Sequence, residues 1–179
     1  ADGRYQTVTW YRSNGSNYII QASTSSDYGA TWNPAINLSA TGDDAFNPQV
    51  AMSDDGTYQT VTWYRSNGSN YIIQARTSSN HGAGWASTGD LSGTGEDAYD
   101  PQVAMSEDGT YQTVTWYRFD GSNNIVQTRS TIDHGTTWDT AINLSPLGQS
   151  SLAPQIAMSG DASHQTVTWY RFDGSNNTV

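Results

Sequence analysis

A 53-residue repeat runs through the sequence and constrains the fold more than any other feature. The string Q-T-V-T-W-Y-R begins at the same place in every unit, at Gln6, Gln59, Gln112 and Gln165, and the tryptophans 32, 85 and 138 keep the same spacing. Nothing is inserted or lost between copies. A period of about this length is typical of stacked or ring-shaped architectures. We therefore expect the units to adopt the same structure.

One unit contains four segments with the pattern of β-strands. Residues 48–53 form a short apolar strand that ends at an Asp-Asp-Gly turn. Residues 58–65 alternate with a period of two, and the Asn-Gly that follows favours a tight hairpin. A third strand is predicted over 71–77 and a less regular fourth from 85 to about 91. Four antiparallel strands of this size describe one blade of a β-propeller, so we predict an all-β propeller.

The sequence holds about 3.4 such blade repeats in a single partial propeller. They cover approximately residues 1–46, 47–99, 100–152 and an incomplete 153–179. An open stack of blades leaves sheet edges and blade faces uncovered. Two alternatives follow. Either further repeats of a longer chain flank this piece, or a second copy associates with it to close a homodimeric ring of six or seven blades.

Composition excludes several classes of partner. Seventeen acidic residues against seven Arg and no Lys give a formal net charge of -10, which disfavours nucleic acid and anionic membranes. The chain has no Cys, so disulfides and thiolate metal sites are excluded. Many exported bacterial proteins also lack Cys, and we favour an extracellular or periplasmic location. The three His share no evident face, so no metal and no cofactor are predicted.

The octet S-S-D-Y-G-A-T-W at 25–32 resembles the Asp box, also called the bacterial neuraminidase repeat, of sialidases and related propellers. The octet at 131–138 fits the same pattern, whereas 78–85 departs from it, with Asn80 for the Asp and Gly84 for the Thr. The resemblance implies a sialidase-like propeller with each box in the turn between the third and fourth strands of a blade.

We expect these boxes to be structural. Asp27 is predicted to accept hydrogen bonds within its own turn, Gly29 to take a positive φ, and Trp32 to place its ring between sheets. Asn80 keeps part of the acceptor capacity, so the second box should be weaker. The alternative is that Asp27 and Asp133 act as catalytic acids or calcium ligands, but one carboxylate per turn is too few for calcium. The predicted structural residues are Asp27, Gly29, Trp32, Asn80, Gly82, Trp85, Asp133, Gly135 and Trp138.

A catalytic site is not predicted. The resemblance implies three Arg, a Tyr nucleophile with its Glu, and an Asp acid/base, all from different blades. Here the Arg and Tyr recur at equivalent positions, and the only Glu, Glu96 and Glu107, replace Asp of other units. The Arg-Ile-Pro motif of sialidases is also missing. A fragment of a sialidase-like glycoside hydrolase, with the missing groups on other blades, remains the alternative.

The loops joining strands two and three, and those joining successive blades, should emerge on one face. This face carries 13–17 and 41–44 with their repeats, a polar rim that suits sugars. The favoured function is a non-catalytic binding scaffold for carbohydrate. One alternative is that Arg12 and Asp44 form an ion pair between blades. Another is an assembly fragment, natural or engineered, with no ligand. The candidate ligand-binding residues are Arg12, Arg65, Arg118, Arg171, Asp44, Asp97, Asn14 and Asn67.

Overall fold

The computed structural model describes residues 2–172, 174–175 and 177–179, which form fourteen β-strands in four antiparallel sheets. In chain order the strands are β1 Gln6–Ser13, β2 Tyr18–Ser25, β3 Ile36–Asn37, β4 Ala45–Met52, β5 Gln59–Ser66, β6 Tyr71–Ser78, β7 Gly89–Asp90, β8 Ala98–Met105, β9 Gln112–Phe119, β10 Asn124–Thr131, β11 Ile142–Asn143, β12 Ser151–Met158, β13 Gln165–Phe172 and β14 Asn177–Thr178. In this part of the chain, no helix is long and apolar enough to span a membrane.

Each repeat forms one sheet whose strands follow the chain order. The two middle sheets have four strands, β4-β5-β6-β7 and β8-β9-β10-β11, as predicted. The first sheet is β1-β2-β3 and the last is β12-β13-β14. The Q-T-V-T-W-Y-R string forms the second strand of each full sheet, as β5 does between β4 and β6. Its period of two is that of a β-strand. The prediction of an all-β fold is confirmed.

Two strand boundaries differ from the sequence prediction. The innermost strand of the second sheet begins at Ala45, before the predicted 48, because a bulge between Phe46 and Gln49 carries the strand past Pro48. Asn47 within this bulge has a φ of 50°. The outer strand is shorter than predicted: β7 pairs with β6 through two residues only. The preceding segment has one backbone–backbone hydrogen bond to β6, from Ala86 N to Thr77 O.

The apolar core lies between neighbouring sheets. Between the first and second sheets it consists of Ile20, Ala22, Leu38, Ala45, Val61 and Trp63. The equivalent residues, Ile73, Ala75, Leu91, Ala98, Val114 and Trp116, fill the space between the second and third sheets. Trp63 and Trp116 are completely buried. Each sheet therefore buries its apolar face against the next one, as blades of a propeller do.

Polar bonds repeat between the same sheets. A threonine hydroxyl of each sheet donates to a glutamine of the next: Thr7 to Gln59 at 2.6 Å, Thr60 to Gln112 at 2.5 Å, and Thr113 to Gln165 at 2.9 Å. Arg76 Nη1 donates to Leu38 O at 3.2 Å, and Arg129 Nη1 donates to Leu91 O at 3.1 Å. These bonds and the apolar clusters fix the orientation of one sheet to its neighbour.

Candidate functional site

Three octet turns, residues 25–32, 78–85 and 131–138, each join the last two strands of their sheet: β2 to β3, β6 to β7 and β10 to β11. In the first turn, Asp27 Oδ1 accepts from Thr31 N at 2.9 Å and from the Ser25 hydroxyl at 2.7 Å, and Oδ2 accepts from the Thr31 hydroxyl at 2.6 Å. These bonds lower the pKa of Asp27 to about 2, with the Thr31 hydroxyl as the largest cause. Gly29 has a φ of 81°. The Asp27 carboxylate is thus occupied by its own turn.

The second octet turn keeps only part of this network. Asn80 Oδ1 accepts from Gly84 N at 2.8 Å and from the Ser78 hydroxyl at 3.0 Å. Gly84 has no hydroxyl to reach the second side-chain atom, so the bond that Thr31 and Thr137 donate to their aspartates is missing here.

The octet tryptophans divide into two groups. Trp85 packs against the cluster between the first two sheets, and Trp138 against the cluster between the second and third. Trp32 is 42% exposed, so its predicted burial between sheets is wrong in this structure. The physical reason is that its side of the first sheet is not covered by another sheet.

The arginines predicted to bind ligand lie on the loop face, which we define as the end of the sheets that carries residues 13–17, 41–44 and their repeats. Arg65 forms an ion pair with Asp43, and Arg118 forms one with Glu96. Arg171 Nε donates to Gln149, the equivalent position of the next unit. Arg12 has no hydrogen bond or ion pair within the described ranges.

The interpretation of Arg12 and Asp44 as an ion pair is wrong. Arg65 pairs with Asp43 rather than with Asp44, Arg118 pairs with the equivalent Glu96, and Asp44 has another role. Its Oδ1 accepts from Tyr18 N at 2.7 Å, and Asp97 Oδ1 accepts from Tyr71 N at 2.8 Å. Asp44 and Asp97 therefore fix the starts of β2 and β6, which belong to the sheets that precede their loops.

The loop asparagines are also engaged. Asn14 Oδ1 accepts from Ser16 N and Asn17 N, both at 2.9 Å, while Nδ2 donates to Thr41 O at 3.0 Å. Asn67 repeats this arrangement, with Nδ2 bonded to Thr94 O at 3.0 Å. The two kinds of loop are joined in this way in the first and second sheets, so this part of the loop face is held in a defined shape.

A row of aromatic rings crosses the loop face, and sequence reasoning did not find it. Successive rings lie in contact from the first sheet to the third: Tyr11, Tyr18, Phe46, Tyr64, Tyr71, Tyr99 and Tyr117. Their centroids are 5.3 Å apart for Tyr18 and Phe46 and 5.2 Å apart for Tyr64 and Tyr99. The signal that could have found part of the row is the hairpin register. It places the end of β1 beside the start of β2, and the end of β5 beside the start of β6.

A cavity of about 310 Å³ continues this row between the third and fourth sheets. It is lined by Asp100, Tyr117, Ser150, Leu152, Ala153, Tyr170 and Phe172. Leu152 stands where the second and third sheets carry Phe46 and Tyr99. Burial, with a contribution from the Asp100 carboxylate, raises the pKa of Tyr117 to about 12. Burial and the neighbouring Asp97 raise the pKa of Tyr99 to about 12 as well.

The loop face therefore combines ring faces, bonded polar loops and charge-paired arginines. Such a surface can stack on the C–H faces of a ligand ring and exchange hydrogen bonds with its hydroxyls. Within the described ranges, His, Asp and Glu side chains form no group that could hold a metal ion.

Comparison with known proteins shows a likeness in structure only. No family model and no curated protein matches the sequence. A Hadza microbial sialidase superimposes with a TM-score of 0.63 at 13% identity, over 97% of this chain and 43% of the sialidase. A leech intramolecular trans-sialidase complexed with 2,7-anhydro-Neu5Ac gives 0.50 at 16% identity, over 91% and 28%. The predicted propeller fold is thus confirmed as sialidase-like, and the chain spans less than half the length of these two structures.

Proposed function

We propose that the chain is a non-catalytic binding scaffold whose loop face binds carbohydrate. The observation that carries the proposal is the aromatic row, which places rings at the surface beside polar loops. Tyr11, at one end of the row, is 49% exposed, and Tyr170, in the cavity beyond the other end, is 52% exposed, so ring faces are accessible at both places. The repeated geometry offers several similar weak sites, and a multivalent glycan gains avidity from them.

The charge pairs support binding rather than catalysis. Arg65 and Arg118 each face a carboxylate of the loop that precedes their sheet, so their positive charge is largely compensated before any ligand arrives. A phenol nucleophile needs a lowered pKa or an adjacent base. Tyr99 and Tyr117 have raised pKa values instead.

A glycan array probed with the labelled chain tests this function. We expect binding to multivalent glycans that weakens several-fold in Tyr170→Ala, which removes a ring from the cavity, and in Arg65→Ala. Tyr111→Ala is the matched control, because Tyr111 is 44% exposed but lies at the opposite end of the strands. A flat array, or equal loss in the control, contradicts the proposal.

The alternative is a piece of a sialidase-like hydrolase, which the two similar structures favour by name alone. A fluorogenic sialoside separates the two functions. We expect no turnover by this chain, and turnover that scales with protein concentration and is lost in Tyr117→Phe would establish the alternative.

A further inference from the structure

A second cleft, separate from the loop face, lies between the second and third sheets at the octet turns. Its volume is about 850 Å³, which is within the range of small-molecule sites. Two indole rings, Trp85 and Trp138, line it, together with Asn80, Gly84 and His134. His134 stacks on Tyr58, with the ring centroids 3.8 Å apart, so this part of the wall joins the second and third sheets.

The cleft exists because the second repeat departs from the others in size. Gly84 stands where the first and third repeats have Thr31 and Thr137. Gly89 replaces an isoleucine of both, and Ala86 replaces an asparagine or an aspartate. All three small residues line the cleft. Three side chains that would occupy this space are thus shortened in one repeat of an otherwise regular array.

The same departure leaves a hydrogen-bond donor unused. In the first and third octet turns both carboxylate oxygens are bonded, the second to a threonine hydroxyl. Asn80 uses its oxygen in the same way, but its amide nitrogen has no partner among the described residues. A Cβ at Gly84 would lie 3.2 Å from Asn80 Nδ2, so the glycine keeps the nitrogen open to the cleft.

The indoles add surface and a further donor. Both rings are half-buried, with one side on the apolar clusters between sheets. Trp85 Nε1 donates to Gly82 O at 3.1 Å, whereas Trp138 Nε1 has no hydrogen bond within the described part of the chain. The hydroxyls of Ser79, Ser87 and Thr136 are also in the lining.

We infer that this cleft is a binding site for a neutral saccharide. Indole faces stack on the C–H faces of sugar rings, while the Asn80 amide, Trp138 Nε1 and the hydroxyls bond to sugar hydroxyls. Among the described residues no Asp, Glu or Arg side chain lines the cleft, so it offers no ion pair to a charged ligand. The net charge of -10 further disfavours anions. This site is independent of the loop face and goes beyond the function proposed for it.

The test uses the full chain labelled with 5-fluorotryptophan, followed by ¹⁹F NMR. The probes are lactose, maltose, cellobiose and N,N′-diacetylchitobiose. We expect at least one of them to shift the Trp85 and Trp138 signals, assigned through Trp→Phe variants, while those of the buried Trp63 and Trp116 stay in place. Signals at the loop face do not enter the readout, so the two sites fail or succeed separately.

The discriminating variant is Asn80→Asp with Gly84→Thr, which installs the octet chemistry of the chain's own first and third repeats. It restores the hydroxyl–carboxylate bond, so the variant should fold at least as stably as the parent while its affinity for the saccharide falls at least about tenfold. Ala83→Thr is the control, because it adds the same side chain one residue away, outside the lining. Absence of any shift, or equal affinity of the double variant and the parent, overturns the inference.

Discussion

At the scale of single residues, the turns are held by exposed or half-buried aspartates whose carboxylates accept several hydrogen bonds. Five of them have pKa values lowered to about 2, because serine and threonine hydroxyls and backbone N–H groups bond to the ionised form: Asp27, Asp55, Asp108, Asp133 and Asp161. Burial of these carboxylates acts in the opposite direction, so their contribution to stability comes from hydrogen bonds made within short turns.

These aspartates predict a loss of stability in acid. Their pKa is about 2 in the folded chain and about 3.8 when unfolded, so their contribution is complete above about pH 4 and disappears as the pH falls towards 2. We expect the urea midpoint to fall steadily over this window. Asp108→Asn should flatten the pH dependence, because it removes one titrating carboxylate.

The control for this experiment is Asp139→Asn, which removes an aspartate whose side chain has no hydrogen bond in the described ranges. Midpoints are measured by circular dichroism from pH 2 to pH 7 in each variant. If the two variants show the same slope below about pH 4, the hydrogen-bonded turns are not the origin of the acid sensitivity.

The turn glycines give a second prediction at this scale. Gly135 has a φ of 80°, and a Cβ there would lie 2.5 Å from Thr77 Cγ2 in the neighbouring sheet. Gly135→Ala should therefore lower the free energy of unfolding by about 2–4 kcal/mol, because backbone strain and overpacking act together. Gly121→Ala is the matched control, because Gly121 has a φ of 96° with nothing within 4 Å.

The control substitution should lower the free energy of unfolding by only about 1 kcal/mol, which is the cost of the backbone strain alone. Urea unfolding of both variants at neutral pH measures the difference. Equal losses would show that the octet turn yields to the added methyl group, and that Gly135 does not approach the preceding sheet as closely as the structure has it.

At the scale of elements, the repeat period allowed the strands to be predicted but not their exact pairing. The second strand was found because Gln59, Val61 and Trp63 alternate with polar residues, a pattern that needs no tertiary information. The bulge at Asn47 was missed because it depends on the pairing of β4 with β5. The aromatic row was missed because it joins residues of different sheets, which no local pattern brings together.

The candidate site was predicted in outline for the same reason. The loops were placed on one face by counting strands, whereas the partner of each arginine depends on the course of the preceding loop. Position 43 rather than 44 meets the arginine, because Asp44 is already bonded to Tyr18 N. One residue of loop geometry therefore decides which carboxylate is paired.

Arg129 links two elements and gives the prediction at this scale. Its Nη1 donates to Leu91 O at 3.1 Å in the preceding sheet, and its Nη2 donates to Trp138 O at 3.1 Å in its own. Arg129→Gln should lower the free energy of unfolding by about 1–2 kcal/mol, because carbonyls between sheets lose a charged donor at a half-buried position. Arg12→Gln is the control and should change it by less than about 0.5 kcal/mol. Similar values for the two variants in urea titrations would contradict a role of Arg129 between sheets.

At the scale of the whole molecule, neighbouring sheets repeat the same kind of contact, with apolar clusters and threonine–glutamine bonds at equivalent positions. The outer face of the first sheet carries the residues of one side of such a contact. Val61 and Val114 are completely buried, whereas the equivalent Val8 is 45% exposed. In the series of threonine–glutamine bonds, the next donor is Thr166 and the acceptor before the first is Gln6. The residues of the other side of this contact, Thr166 among them, lie on the last sheet of the same chain.

We therefore propose that two copies of this chain associate through their end sheets, with Thr166 of one copy donating to Gln6 of the other. Sedimentation velocity should show a species of twice the chain mass that dissociates on dilution. Val8→Glu places a charge against the apolar half of the contact and should weaken association at least about tenfold. Leu147→Glu is the control, because Leu147 is 66% exposed in a loop away from this face. A chain that remains monomeric at every concentration, or equal weakening by both substitutions, would mean that the outer face of the first sheet does not receive a second copy.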